Sequence, residues 1–177
     1  MADIKHIQTP LSRSDITALR AGDNILLSGV IYTARDAAHK RMVEQLAAGE
    51  PTPFPFDGAA VFYAGPSPTP PGGVIGSIGP TTSGRMDAYS PALIARGLRV
   101  MIGKGERSDA VVAAMRAHTA VYLAAVGGIA ALMSACVTSA EVVAYDDLGT
   151  EAVRRLTVTD LPLVVAIDAN GNSMYNR

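Results

Sequence analysis

The sequence predicts an α/β domain built on a mostly parallel or mixed β-sheet. Segments rich in β-forming residues alternate with segments of helical periodicity, and 177 residues suffice for one domain with a sizeable core. The predicted strands Ala59–Ala64 and Val74–Ile78 follow each other without a helix between them. Part of the sheet is therefore expected to be antiparallel, or the strands form two sheets. Neither an internal repeat nor a linker is visible, so residues 1–177 are expected to form a single domain.

The composition argues against several classes of function. The net charge is −1, the sequence pI is near 6.3 and no basic patch is visible, so nucleic acid is not an expected partner. No apolar run reaches the roughly 20 residues that span a bilayer. The N-terminus lacks the apolar core of a signal peptide, and the chain is predicted to be cytoplasmic. Its one cysteine, Cys136, excludes an intrachain disulfide and cannot alone hold zinc or an iron–sulfur cluster.

The first half of the chain contains the clearest strand and the clearest helix. Asn24–Thr33 is rich in β-formers and is predicted to be a central strand. Ala34–Gly49 repeats apolar residues at helical spacing and ends at Gly49-Glu50-Pro51. The other elements predicted in this half are the strand Asp3–Gln8, a helix over Asp15–Arg20 capped by Ser12 or Ser14, and the buried strand Ala59–Ala64.

The second half continues the alternation of strands and helices. Gly65–Gly73 contains four prolines and is predicted to be an exposed loop. The elements predicted after it are the strand Val74–Ile78, a helix Asp87–Arg96 reset at Ser90-Pro91, the strand Leu98–Ile102, a helix Asp109–Ala117 capped by Ser108, the strand Thr119–Val126, a helix Ile129–Ala135 after the turn Gly127-Gly128, the strand Val137–Tyr145, a short helix Glu151–Arg154, and the strands Leu156–Val158 and Leu163–Ile167.

The stretch Val74–Asp87, V-I-G-S-I-G-P-T-T-S-G-R-M-D, carries the strongest chemical signal. A strand that breaks at Gly79-Pro80 and re-enters a helix would leave a row of backbone N–H groups without partners. Those donors, three hydroxyls in the T-T-S run and Arg85 would suit a small carboxylate or phosphate. The competing interpretation is a capped helix start with Arg85 in a surface ion pair.

Three cations occupy equivalent places in the predicted topology. Arg35, Arg85 and Lys104 each follow a predicted strand and lie near a helix entrance. Ligands of α/β sheets collect at the carboxyl ends of the strands. Three cations there, with the hydroxyls of Thr81, Thr82 and Ser83, would form a pocket for a dianion, in which arginine clamps a carboxylate and lysine acts as a point charge.

Arg35, Asp36 and His39 fall in the first turn of the predicted helix Ala34–Gly49. Arg35 and His39 are four residues apart and share a helix face. A cation at a helix N-terminus opposes the helix dipole, so this placement is unfavourable unless an anion also lies there. The competing interpretation is a local surface pair, either Arg35–Asp36 or Asp36–Lys40.

Six segments, taken in order, resemble one known family. They are S-G-V-I-Y-T-A-R-D-A-A-H-K-R from Ser28, Y-A-G-P from Tyr63, I-G-S-I-G-P-T-T-S-G-R-M-D from Ile75, I-G-K-G from Ile102, Y-L-A-A-V-G-G from Tyr122 and D-L-G-T-E-A from Asp147. From about Leu11 to Asp168 the chain resembles the C-terminal domain, or separate β subunit, of class I iron–sulfur fumarate hydratases and L-tartrate dehydratases. The resemblance implies a swivelling β/β/α fold with a mixed sheet.

The resemblance also implies an active centre divided between two polypeptides. In that family a partner α chain or N-terminal domain carries three cysteines that hold a [4Fe–4S] cluster, and this chain holds no metal. The cluster's unique iron acts as a Lewis acid on the substrate's hydroxyl and one carboxylate. The positions that match the family's clamps for the second carboxylate are Arg35, Arg85 and Lys104.

The remaining site residues are also implied by the resemblance. The threonine proposed for proton transfer falls at Thr81, with Thr82 as the other candidate, and its alkoxide would need a nearby cation or preorganised donors. Asp36, His39 and Ser83 are expected to hold the clamp residues in place.

The expected function is that of the β subunit of a hydro-lyase that interconverts fumarate and L-malate. The alternatives are the β subunit of an L(+)-tartrate dehydratase, which converts tartrate to oxaloacetate, and a non-catalytic dicarboxylate-binding module. The expected partners are the α subunit and a C4 dicarboxylate. The expected assembly is a hetero-oligomer of the α2β2 type, or a β–β dimer when the chain is isolated.

Overall fold

The computed structural model of the chain describes residues 3–125 and 130–176. The predicted turn at Gly127-Gly128 and the first residue of the helix predicted from Ile129 lie outside these ranges. The strands within them are β1 Ile4–Gln8, β2 Asn24–Thr33, β3 Ala60–Phe62, β4 Val100–Gly103, β5 Val121–Ala124, β6 Val137–Ala144 and β7 Val153–Ile167. The α-helices are α1 Arg13–Thr17, α2 Asp36–Ala48, α3 Ser90–Ala95, α4 Asp109–His118 and α5 Ala130–Ala135, and two 3₁₀ helices span Ser83–Met86 and Asp146–Glu151.

The strands form one closed, barrel-like mixed sheet. β1 to β5 lie side by side and parallel in chain order, and β7 runs antiparallel to β5 and β6. β7 also pairs with β2 along most of its length, from Asn24↔Val164 to Thr33↔Arg154, and this pairing closes the sheet. The prediction of an α/β fold with a mixed sheet is confirmed, and the architecture is consistent with a swivelling β/β/α domain.

Closure of the sheet produces two apolar cores. Alternate residues of the strands, such as Leu27, Phe62 and Leu123, pack together on one face. The opposite face of β3, β4 and β5 is also buried, and it packs against helices α2, α3 and α4. Strands covered on both faces read as continuous apolar runs, which is why the central strands were readable from the sequence.

Helices α1 and α4 begin at the predicted capping residues, but α1 spans Arg13–Thr17 rather than the predicted Asp15–Arg20. Ser12 begins α1 with a capping box, in which its hydroxyl accepts from the Asp15 N–H and its own N–H donates to the Asp15 carboxylate. Ser108 caps α4 by accepting from the Val111 N–H. Gly49 ends α2 in the left-handed conformation, with φ of +69°. No helix in the part of the chain that the structure describes is long and apolar enough to cross a membrane.

The strand predicted at Val74–Ile78 is wrong, because this segment lies outside the sheet in an irregular loop. Its apolar residues are buried for a different reason, since Ile75 and Ile78 pack into the inner core. The Ser67 N–H donates to the Ser77 carbonyl, and a Cβ on Gly76 would lie 2.1 Å from the Ser67 carbonyl oxygen. Close packing against the proline-rich loop therefore replaces strand pairing here.

Three further predictions are corrected near helix and strand ends. The helix predicted at Glu151–Arg154 is wrong, because its last two residues already belong to β7 and pair with β2 and β6. The two last predicted strands are one strand, β7, which continues through a left-handed residue at Asp160 (φ +50°). The helix predicted from Asp87 begins only at Ser90, because Asp87 is the C-cap of the preceding 3₁₀ helix.

Candidate functional site

The residues predicted to bind an anion gather at the carboxyl ends of β2, β3 and β4, which are neighbouring parallel strands. Arg35 follows β2 and Lys104 follows β4 directly. The T-T-S segment lies across the same edge, because the Thr81 N–H donates to the Tyr63 carbonyl (2.7 Å) and the Ser83 N–H to the Lys104 carbonyl (2.8 Å). Thr82 and Lys104 thus form an isolated parallel bridge.

This backbone pairing corrects one expectation from the sequence. The N–H groups of Thr81 and Ser83 were predicted to be free donors at a helix start, but both are used in bonds to neighbouring strand ends. Thr82 begins the 3₁₀ helix without a side-chain capping bond. The segment can therefore offer an anion mainly side chains rather than a row of backbone amides.

Asp36 joins the first turn of α2 to the 3₁₀ helix that carries Arg85. The Asp36 Oδ2 atom accepts a hydrogen bond from Arg85 Nε (2.8 Å) and lies 2.6 Å from Arg85 Nη2 in an ion pair. The local Arg35–Asp36 and Asp36–Lys40 pairs considered from the sequence are therefore not the pairing that the structure shows. Arg85 does form an ion pair, as the competing interpretation required, but with a residue of the same predicted site.

The ion pair leaves a defined part of Arg85 available. Asp36 contacts the Nε side of the guanidinium, so the Nη1 atom at the other side is not engaged by this pair. The Arg85 side chain is 53 % exposed and that of Asp36 is 32 % exposed. Thr82 and Lys104, which pair with each other through the backbone bridge, are also exposed. The arrangement can bind an anion at the surface, where a covering partner would be needed to exclude water.

Ser83 is the one hydroxyl of the T-T-S run that does not face the surface. It is fully buried, and its Oγ lies 2.8 Å from the Tyr122 hydroxyl. Tyr122 donates its single hydroxyl proton to the Gly105 carbonyl (2.8 Å), so Ser83 must donate to Tyr122. Only a glycine fits at position 103 beneath it, because a Cβ there would lie 2.0 Å from the Ser83 Oγ.

His39 is fully buried one turn into α2. Its Nδ1 lies 2.8 Å from the Arg35 carbonyl oxygen, which can only accept, so Nδ1 carries the proton. Within residues 3–125 and 130–176, three buried side-chain atoms of this turn have no hydrogen-bond partner: Arg35 Nε, Asp36 Oδ1 and His39 Nε2. Burial, reinforced by the positive charge of Arg107, lowers the pKa of His39 from 6.5 to about 4, so the imidazole is neutral at pH 7.

We expect His39 to make the stability of the chain depend on pH. Its folded pKa lies below its unfolded value, so the unfolded chain binds more protons between pH 6.5 and 4 and stability falls as the pH is lowered through that range. The loss of unfolding free energy should reach about 3 kcal/mol at pH 4. His39→Asn retains a donor near Nδ1 but cannot titrate there. Urea unfolding at a series of pH values should give a shallower dependence for this variant, and parallel curves would contradict the assignment.

A buried network under the T-T-S segment was not predicted from the sequence. Arg107 donates to Asp87, Ser90 and Tyr63, with donor–acceptor distances of 2.7, 2.8 and 3.2 Å. From the sequence, Arg107 stands in a polar turn before the helix cap Ser108 and looks like a solvated residue. The available signal was the pair of tyrosines, Tyr63 and Tyr122, on buried strands, since a buried tyrosine hydroxyl requires a polar partner.

The donor atoms of this chain do not fit an iron–sulfur cluster. Such clusters are held by several thiolates, and the chain has the single cysteine Cys136. Its thiol contacts the carbonyls of Leu132 and Asp160, and burial raises its pKa. Among the residues that the structure describes, no group of three or more His, Cys, Asp or Glu side chains is placed to hold a metal ion.

A cavity of about 500 Å³ lies at the opposite end of the sheet from the predicted site. It is lined by residues that precede β3, β4 and β5, including Asp57, Arg99 and Thr119, and by the start of α1. None of the residues predicted to bind an anion lines it. This cavity is therefore separate from the candidate site at the carboxyl ends of the strands.

The fold defines an α/β domain with a closed mixed sheet, and the residues predicted to bind an anion lie at one edge of that sheet. The chain belongs to the fumarase C-terminus family, whose family model, described as "Fumarase C-terminus", matches residues 2–177. The resemblance stated from the sequence motifs is therefore confirmed.

Three relatives illustrate the range of the family. The chain is 36 % identical over 167 residues to "Fumarate hydratase 2" of Leishmania major, covering 93 % of this chain and 29 % of that protein. It is 36 % identical over 176 residues to "Fumarate hydratase class I, aerobic" of Escherichia coli (strain K12), covering 98 % of this chain and 31 % of that protein. It is 39 % identical over 173 residues to "Putative L(+)-tartrate dehydratase subunit beta" of Methanocaldococcus jannaschii, covering 94 % of this chain and 89 % of that protein.

The chain thus spans about three tenths of the length of these two fumarate hydratases and most of the tartrate dehydratase subunit. Fumarate hydratases and tartrate dehydratases are hydro-lyases, so the names of these relatives identify the family as one of hydro-lyases.

Proposed function

We propose that this chain is the β subunit of a [4Fe–4S]-dependent hydro-lyase that interconverts fumarate and L-malate, in a site shared with an α subunit. The observation that carries the proposal is that the segments bearing the cationic and hydroxyl residues meet at one sheet edge. Asp36 links the Arg35 turn to Arg85, and the Thr82–Lys104 bridge links the hydroxyls to the lysine. These contacts join segments that are far apart in the sequence.

In this proposal the chain binds and orients the substrate carboxylate that the cluster does not hold. Arg85 offers the guanidinium edge that Asp36 leaves open, and Lys104 and Arg35 add positive charge. Thr81 or Thr82 transfers the proton, and Lys104 next to Thr82 in the bridge would stabilise the alkoxide. The cluster belongs to the proposed α subunit, where it would supply a Lewis acid, and no residue of this chain is assigned to it.

The second candidate is the β subunit of an L(+)-tartrate dehydratase. It is favoured by the similarity to a relative named as such a subunit over 89 % of that relative's length, which also supports a separate α partner. Fumarate, malate and tartrate are all dianionic C4 dicarboxylates, so the same cations would serve each. Malate and tartrate differ by one hydroxyl group, which would be recognised elsewhere in the shared site.

The test is anaerobic co-expression with the neighbouring α-type chain, followed by assays on fumarate, malate and both tartrates. We expect the complex to interconvert fumarate and malate and the chain alone to be inactive. Preferential turnover of a tartrate would select the second candidate. Dicarboxylate binding without turnover by the iron-loaded complex would indicate a non-catalytic module, and turnover by this chain alone without iron would reject the shared site.

Asp36→Asn is expected to lower kcat/KM of the complex about tenfold, because Arg85 loses the charged contact that orients its guanidinium. The matched control is Asp147→Asn, since Asp147 accepts two bonds of 2.8 Å from Arg41 in a surface pair formed by the same helix α2. Steady-state kinetics on both variants measures the difference. Equal kcat/KM values for the two variants would show that Asp36 is an ordinary surface partner.

A further inference from the structure

We propose that Arg107 is a positioning residue that fixes the Thr81–Ser83 segment and the Lys104 loop from beneath without touching the substrate. The inference follows from contacts in the structure, and only its kinetic readout rests on the function proposed above. It assigns a role to a buried positive charge that is explained neither by the sequence motifs nor by the cationic cluster, which consists of Arg35, Arg85 and Lys104.

Arg107 is held from several sides. Its side chain is fully buried, and Nε, Nη1 and Nη2 contact Asp87 Oδ1 (2.7 Å), Met101 Sδ (3.4 Å) and Ser90 Oγ (2.8 Å). Burial opposes its charge, but the contacts with Tyr63 and Asp87 raise the pKa of Arg107 above its ordinary value. A buried guanidinium with this many partners is rigid, so the groups packed on it are held in place.

Two tyrosines connect Arg107 to the T-T-S segment. The guanidinium carbon lies 5.2 Å from the ring centroid of Tyr63 and 4.9 Å from that of Tyr122, within cation–π range of both. The Tyr63 carbonyl accepts from the Thr81 N–H, and the Tyr122 hydroxyl accepts from Ser83. The residues on both sides of Thr82 are therefore anchored to the two rings that Arg107 holds.

The same network anchors the loop that carries Lys104. Tyr122 donates to the Gly105 carbonyl, and Asp87 accepts both from Arg107 Nε and from the Ser108 N–H (2.6 Å). The loop between β4 and α4 is thus fixed at positions 105, 107 and 108. Since Lys104 pairs with Thr82 across the backbone bridge, both members of that bridge are supported by one buried guanidinium.

A lysine cannot replace this arginine. The contacts use three separate nitrogen atoms of a planar fork, and the flat guanidinium also packs against two aromatic rings. A lysine ammonium supplies one point charge and lacks the fork geometry. Arg107→Lys therefore removes the positioning function while keeping the positive charge.

The kinetic experiment uses the co-expressed complex with Arg107→Lys, Tyr122→Phe and the control Arg99→Lys. Arg99 is a half-buried arginine at the opposite end of β4 that donates to the Ile94 and Leu98 carbonyls. We expect kcat to fall about 100-fold for Arg107→Lys and about tenfold for Tyr122→Phe, and to stay within about threefold for Arg99→Lys. Tyr122→Phe removes only a hydroxyl, so it remains interpretable if Arg107→Lys folds poorly.

Amide hydrogen exchange of the full chain tests the same inference independently of activity. In Tyr122→Phe and Arg107→Lys, the amides of Thr81 and Ser83 should exchange at least about tenfold faster, while the Thr9 amide, which donates to the Ser28 carbonyl, is unchanged. Unaltered exchange at Thr81 and Ser83 in both variants would overturn the proposal. A wild-type complex that is inactive on all dicarboxylates would reject the proposed function, while the exchange result would still decide the role of Arg107.

Discussion

Gly103→Ala is expected to destabilise the chain by about 3 kcal/mol and to disrupt the candidate site at the same time. Gly103 is the last residue of β4 and is buried, with its carbonyl accepting from the Ala125 N–H. A Cβ at this position would lie 2.0 Å from Ser83 Oγ and 2.8 Å from Tyr63 Cδ2. Ser83 cannot simply rotate away, because its hydroxyl donates to Tyr122.

Gly84→Ala provides a matched control in the adjoining 3₁₀ helix. A Cβ at Gly84 would meet only the Glu106 carbonyl at 3.9 Å, so its effect should be within about 0.5 kcal/mol. Urea unfolding measures both variants. Adding Ser83→Ala to Gly103→Ala should recover part of the loss, since the closest contact is removed. Equal unfolding free energies for Gly103→Ala and Gly84→Ala would show that the Ser83–Tyr122 contact is loose.

Arg85→Ala is expected to lower kcat/KM of the complex about 1000-fold, which corresponds to about 4 kcal/mol of transition-state stabilisation. The reason is that a charge-assisted, two-pronged contact to a carboxylate would be lost once the partner has covered the site and excluded water. The unfolding free energy of the chain should change by less than about 1 kcal/mol, because the Asp36–Arg85 pair is partly exposed and screened.

Arg41→Ala is the control for loss of a surface ion pair. Arg41 donates two bonds to Asp147 and its side chain is partly exposed, like that of Arg85. This variant should retain nearly full kcat/KM, since Arg41 lies outside the cationic cluster. Steady-state kinetics on fumarate and malate compares the two variants. A loss of less than about threefold for Arg85→Ala would leave Arg85 as a surface residue and remove the main support for the carboxylate clamp.

The sequence predicted strands that end before Arg35 and Lys104, but it placed Arg85 after a strand, Val74–Ile78, that the structure does not contain. Arg35 and Lys104 follow strands whose apolar runs were readable, so their gathering at one sheet edge could be expected. The bond from Arg85 to Asp36 joins residues 49 positions apart, and local alternatives such as Asp36–Lys40 were equally compatible with the sequence. The roles of these residues in binding and proton transfer remain predictions.

The strand predicted at Val74–Ile78 rested on apolar composition alone and is wrong. The run was read as a strand, because a short apolar segment bounded by glycines is typical of one. Ile75 and Ile78 are indeed buried, but they pack into the inner core from a loop. Burial and strand pairing are separate properties, and only the positions of the neighbouring strands decide whether a buried segment finds a partner.

The sequence by itself determined the α/β class, the capped helices α1 and α4, the long strand β2 and, through its ordered motifs, the family. These features depend on local periodicity, capping chemistry and residue order, which are complete within short segments. The tertiary structure alone decided the closure of the sheet by β7, the burial of Arg107 between Tyr63 and Tyr122, and the orientation of the Ser83 hydroxyl. Each of these depends on contacts between residues that are distant in the sequence. Those contacts form, and contribute to stability, only when the sheet closes.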